Sequence, residues 1–176
     1  MKYLEEQSGL NFSDTHHDEK IIRFLTHQVD TFVKYLQKHY SHKEYTRNLI
    51  TKFTGVQLLP YTKGNTPSSY ISGMFDHSTG TLKVAARDGS GHLRDEESLN
   101  KSITHELAHA TRVKYPGETS HSQEWKRVWK IFLHIATEKL GWKVDASCQF
   151  YGLSRKDCPK CNWRRGEKCN AVPLLA

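Results

Sequence analysis

The stretch Ile103-Thr104-His105-Glu106-Leu107-Ala108-His109-Ala110 constrains the fold more than any other part of this chain. Apolar residues recur through it and its flanks at Leu99, Ile103, Leu107, Ala108 and Ala110, at the three- and four-residue spacing of an amphipathic helix. One helical turn separates His105 from His109, so both imidazoles leave the same face. Two histidines in so apolar a setting need a partner, and a shared metal ion supplies one. Glu106 sits beside the first histidine. There its carboxylate reaches a metal-bound water rather than the metal. The pattern H-E-x-x-H therefore predicts a zinc site at His105 and His109 with Glu106 as general base for attack on a carbonyl. The bland alternative is a pair of surface or core-edge histidines with no metal.

A catalytic zinc site has three protein ligands and one open position. His121 is the expected third ligand, delivered by the loop Ala110–Ser120 to the start of the next helix. Glu118 and Glu124 are its rivals. The metzincin arrangement is excluded, because Arg112 and Tyr115 stand where its glycine and third histidine belong. No side chain for stabilising an oxyanion is identified; Tyr115, Tyr151 and Arg112 are candidates.

The rest of the chain supplies a setting for that site. From Asp18 to Tyr40, Ile21, Ile22, Phe24, Leu25, Val29, Phe32, Val33 and Leu36 predict a long amphipathic helix, followed by a shorter one over His42–Phe53. Val56–Leu59, Ser69–Phe75 and Thr81–Ala85 read as strands, with a hairpin over residues 70–85, giving a small, mostly antiparallel sheet. Pro116-Gly117 closes the histidine-bearing helix. Ser120 is the expected N-cap of another, with Gln123 closing a capping box and Trp125, Val128, Trp129, Phe132, Ile135, Ala136 and Leu140 facing the core until Gly141. The class is α+β.

Composition narrows the setting. Hydrophobic residues make up 36% of the 176, enough with 11% aromatics to build one core, although mean hydropathy is -0.71. No run approaches the ~20 apolar residues of a membrane helix, and Met1–Glu6 lacks a signal-peptide core. No membrane partner is expected, and the location is cytoplasmic or nuclear. The net charge of +7 points to a polyanion such as nucleic acid, or only to a basic soluble protein.

Thr104-His-Glu-Leu-Ala-His109 followed by His121-Ser122-Gln123-Glu124-Trp125-Lys126 resembles the SprT-like (Spartan-type) metallopeptidase family, with the WLM family a close relative. The resemblance covers residues 18–142. It implies a zincin-like fold with two metal-bearing helices, zinc held by His105, His109 and His121, Glu106 as base, and cleavage of DNA-associated or DNA-crosslinked proteins. It implies a hydrolase, a metalloprotease with a part in DNA repair, whose partners are a protein substrate and DNA. Two departures are visible: Ser122 stands where the family often has glycine, and the loop between His109 and His121 is longer than in the WLM spacing.

Residues 143–176 form a second, basic region holding all four cysteines. Cys158 and Cys161 make a C-x-x-C pair, with Cys148 before and Cys169 after. Four thiolates would build a closed structural zinc site, a second zinc, and SprT-like proteins can carry such a ribbon. Free thiols, a redox pair or, in an oxidising compartment, disulfides are the alternatives. Trp163-Arg164-Arg165 sets a stacking ring beside two cations, suited to single-stranded nucleic acid or simply to a solvated loop. Two rival functions remain beside the peptidase acting on DNA-bound protein: a zinc-stabilised nucleic-acid-binding module without turnover, and a peptidase with no DNA role.

Overall fold

The computed structural model describes residues 15–111 and 121–144. Helix α1 (Thr15–Tyr40) and helix α2 (Glu44–Lys52) lead into strands β1 (Gly55–Leu59), β2 (Gly73–Asp76) and β3 (Thr81–Ala85). Helix α3 (Glu96–Ala110) follows, then helix α4 (Gln123–His134), which runs into a π-helical turn, Ile135–Lys139. The class is α+β, as the hydrophobic periods require.

The expected face of α1 is the buried one. Ile21, Phe24, Leu25, Val29, Phe32 and Leu36 are buried, whereas Ile22 and Val33 are half-buried. Phe32 sits at the centre, edge-on to Phe132 at 5.0 Å and tilted against Trp142 at 5.6 Å. It therefore ties α1 to α4 and to the segment beyond. Each large side chain so buried contributes roughly 1.5–3 kcal/mol. A buried polar bond joins α1 to α3: Gln28 donates to Asn100 Oδ1 at 2.9 Å.

The sheet differs from expectation. Its order is β1-β3-β2, with β2 antiparallel to β3 and β1 parallel to it, Gly55 opposite Thr81. The sheet is thus mixed rather than mostly antiparallel. The physical reason is length: the chain between Leu59 and Thr81 is long enough to cross over and return in the same direction. Strand β2 also starts later than its apolar run suggests. Ahead of it, the Ser69 and Tyr70 amides bond back to Thr66 O and Ser68 O, and the Gly64 amide reaches Gly89 O, so those groups serve loop turns. Gly80, at φ 72°, makes the β2–β3 turn; a Cβ there would lie 2.0 Å from Lys52 O.

Arg94 locks sheet to helix. Its buried guanidinium donates to Ser72 O, Ala85 O, Ser98 O, Ser98 Oγ and Ser102 Oγ, all within 3.0 Å. Immediately after it, Asp95 caps α3 by accepting the Ser98 amide at 2.7 Å. The cap of α4 is Ser122, not Ser120: its hydroxyl accepts the Trp125 amide at 3.2 Å. Gly141, at φ 67°, follows the helical run, as expected.

Candidate metal centre

Helix α3 places the two motif histidines. Its acidic first turn (Glu96, Glu97) suits the helix dipole. Ile103, Leu107, Ala108 and Ala110 are buried, which fixes the rotation of the helix and aims His105 and His109 at the N-terminus of α4. His121 stands one residue before the Ser122 cap, so packing of α4 sets its position.

The three Nε2 atoms form a triangle with every side 3.2 Å. Each Nε2 carries either one proton or one lone pair. Hydrogen bonds among three such atoms cannot satisfy all three contacts at once. A cation accepting all three lone pairs can. Nitrogens 3.2 Å apart stand at the separation that zinc–nitrogen bonds of about 2.0–2.1 Å would need at near-tetrahedral angles. The triangle therefore fits a tetrahedral cation with one position left over. Among the described residues, His105, His109 and His121 are the group whose ligand atoms converge. Glu124, a rival ligand, lies exposed in the first turn of α4 and is not part of it.

Aromatic rings support the triangle. Trp125 is buried beneath it, stacked on His109 at 4.8 Å and edge-on to His105 at 4.7 Å and His121 at 4.5 Å. Trp129 meets His105 edge-on at 4.9 Å and donates its indole N–H to Thr104 Oγ1 at 3.2 Å. Burial, with the neighbouring His109, His121 and Lys101, pushes the His105 pKa down to about 3. Burial and Lys126 lower that of His121. Both rings are thus neutral at pH 7, the form that binds metal.

Glu106 is buried at 6% exposure, with Oε1 3.9 Å from His105 Nε2. Burial raises its pKa to about 7, opposed by a hydrogen bond from the Phe75 amide on β2. Gly73, also on β2, makes this approach possible: a Cβ there would lie 2.9 Å from Glu106 Cγ. Sequence reasoning missed Gly73 and assigned Trp125 only to the core. The available signal was a glycine in a short strand, which marks close approach of another group.

The other sequence candidates lie outside the described residues: Arg112, Tyr115, Glu118, Tyr151, Cys148, Cys158, Cys161, Cys169, Trp163, Arg164 and Arg165. Among the described residues, no helix is long and apolar enough to cross a membrane.

Comparison with known proteins overturns the peptidase reading. A family model described as Phycodnaviridae minor capsid protein P4 matches residues 1–174. The minor capsid protein P4 of Paramecium bursaria Chlorella virus 1 is 54% identical over 177 residues, covering 98% of each chain. No solved structure matches. The SprT-like resemblance is therefore corrected, and with it the zinc endopeptidase activity, the hydrolase, metalloprotease and DNA-repair roles, the protein substrate and the DNA partner. A nuclear location is likewise unsupported. The physical source of the error is that H-E-x-x-H with a third histidine specifies a ligand geometry, whereas function belongs to the whole site and its setting. A match running almost end to end outweighs a motif of a few residues: the chain belongs to the Phycodnaviridae minor capsid protein P4 family.

Proposed function

We propose that this chain is a minor structural component of a viral capsid, assembled in the cytoplasm, whose partners are other capsid proteins. The carrying observation is the end-to-end relationship to a minor capsid protein. In this reading the metal-bearing helix pair is the part of the zincin-like expectation that carries over. His105, His109 and His121 hold one zinc ion, and the ion fastens the start of α4 to the end of α3. The 3.2 Å nitrogen triangle and the neutral imidazoles support that assignment. Cys148, Cys158, Cys161 and Cys169 are proposed to bind a second, structural zinc in a region distinct from the 18–142 domain, on the strength of their spacing.

Cross-linking of purified virions followed by mass spectrometry tests the capsid assignment. Cross-links from this chain to other capsid proteins are expected, and absence of the chain from purified particles would refute it. Metal content per chain tests the ligand sets: two zinc ions, falling to one in His121→Ala and to one in Cys161→Ser.

A further inference from the structure

Away from the histidines, the end of β1 and the loop before β2 border an open cavity of about 370 Å³ beside the start of α1. Leu58, Leu59, Pro60, Tyr61, Ile71 and Ala85 form much of its wall. A water molecule takes up about 30 Å³, so the space accommodates large side chains. The polar groups around it are already engaged. Asp18 and Arg87 pair at 3.1 Å, with Arg87 buried. Tyr61 donates to Gly89 O at 3.3 Å, and the Tyr70 ring faces the Arg94 guanidinium at 5.4 Å. What is left uncovered is apolar. Ile71 is 71% exposed, the most exposed large apolar side chain among the described residues, and Leu58 and Leu59 are only half-buried. A patch of this kind calls for an apolar occupant.

The chain carries one to the spot. Helix α1 begins at Thr15, and Asp18 in its first turn lines the cavity. Only about 4.5 Å of helix separates the two. Phe12 precedes Thr15 by three residues and Leu10 by five, so an extended chain lets them reach about 10 Å and about 17 Å from it. One residue stands between Leu10 and Phe12, which puts both side chains on one side of an extended segment. We propose that residues 10–12 lie across this cavity in extended form, with Leu10 and Phe12 against Leu58, Leu59 and Ile71. The tether makes this contact intramolecular, at a millimolar effective concentration. The same segment of a second copy and an apolar segment of a neighbouring capsid protein are the competing occupants. Both lose translational freedom that the tether has already removed. The inference depends on neither the metal nor the capsid assignment.

Photo-cross-linking of the full chain reads the occupant directly. The residue p-benzoylphenylalanine replaces Ile71, whose exposure leaves room for it, and the products are mapped by mass spectrometry. Cross-links to residues 8–14 of the same chain are expected, at a yield independent of protein concentration. Adding Leu10→Ser and Phe12→Ser together should cut that yield about fivefold or more. In the chain with Ile71 intact, Phe12→Ser should lower Tm by about 3 °C or more, and Phe12→Leu by less. With Ile71→Ser already present, the same Phe12→Ser step should cost less, because the two side chains share one contact. Cross-links that join two chains would give the cavity to a second copy and overturn the inference. Absence of any link to residues 8–14 would leave the cavity to a neighbouring protein and overturn it as well. Links that persist undiminished in the double serine variant, or a Tm that Phe12→Ser does not move, would deny these side chains their place in the cavity.

Discussion

The sharpest test of the metal centre is thermal stability with and without zinc, measured with and without His121→Ala in a Cys161→Ser background, where the proposed cysteine site takes no zinc. An ion bound by the folded state alone stabilises it by RT ln(1 + [L]/Kd), about 4 kcal/mol at a thousandfold excess over Kd. For a chain of 176 residues each kcal/mol moves Tm by roughly 2–4 °C, so zinc should raise Tm by about 8–16 °C. His121 approaches from the start of α4, whereas His105 and His109 both belong to α3. Its removal therefore leaves two ligands on one helix and abolishes the link between helices. Loss of a ligand should weaken binding at least as much as loss of a supporting hydrogen bond, about 100-fold, or about 2.7 kcal/mol. The zinc-induced rise should then shrink to about 3–6 °C or less. His121 is exposed, so the zinc-free Tm of the variant should match that of its parent within about 2 °C. Differential scanning calorimetry supplies the readout. Trp125, 4.5 to 4.8 Å from all three rings, provides an independent one through quenching by Co²⁺. Equal zinc shifts in both proteins would refute the three-histidine site.

Other parts of the fold yield their own tests. Phe32→Ala should cost about 3–5 kcal/mol in urea unfolding, since the ring is fully buried between Phe132 and Trp142; a cost under 1 kcal/mol would mean that α1 does not dock through this ring. Gly73→Ala should cost about 1–3 kcal/mol, because its Cβ would meet Glu106 Cγ at 2.9 Å and Lys83 O at 3.3 Å; unchanged stability would remove β2 from its place against Glu106. The Asp76 pKa is lowered by hydrogen bonds from Ser78 and Lys83. The folded state thus holds its proton less tightly than the unfolded chain does. The stability this lends is complete above the ordinary Asp value and disappears as pH falls through the lowered one. Asp76→Asn should therefore flatten the acid side of the stability–pH curve below about pH 4; an unaltered acid limb would contradict the Ser78 and Lys83 contacts.

The helices were legible in the sequence because each buries one face with the right period. The buried positions of α1 recur at the spacing that identified them, and the same holds for Trp125, Val128, Trp129 and Phe132 on α4. The convergence of His105, His109 and His121 was legible too, since helix geometry fixes the first two and a nearby helix start carries the third. The mixed sheet was not, because alternation along a strand reveals its faces and says nothing of the direction of its neighbour. Nor was the biological role. Spacing encodes where nitrogen atoms meet, and the same meeting point can host a reaction or hold two helices together.

Glu106 is where those two uses diverge. The sequence casts it as a base, yet its carboxylate accepts the Phe75 amide and packs against Gly73, so it also closes the edge of the sheet onto α3. A structural role and a proton-accepting role respond differently to substitution. Glutamine keeps the amide-accepting oxygen and the packing volume while removing a charge that burial penalises. Alanine removes the acceptor and leaves the Phe75 amide without its partner on the α3 side. If Glu106 serves to join β2 to α3, Glu106→Gln should leave zinc-free stability within about 0.5 kcal/mol of wild type or raise it. Glu106→Ala should lower it by about 1–3 kcal/mol through the unsatisfied amide and the lost packing. Chemical denaturation in the presence of a chelator measures both without involving the metal. A Glu106→Ala variant as stable as Glu106→Gln would deny the carboxylate its place in the architecture.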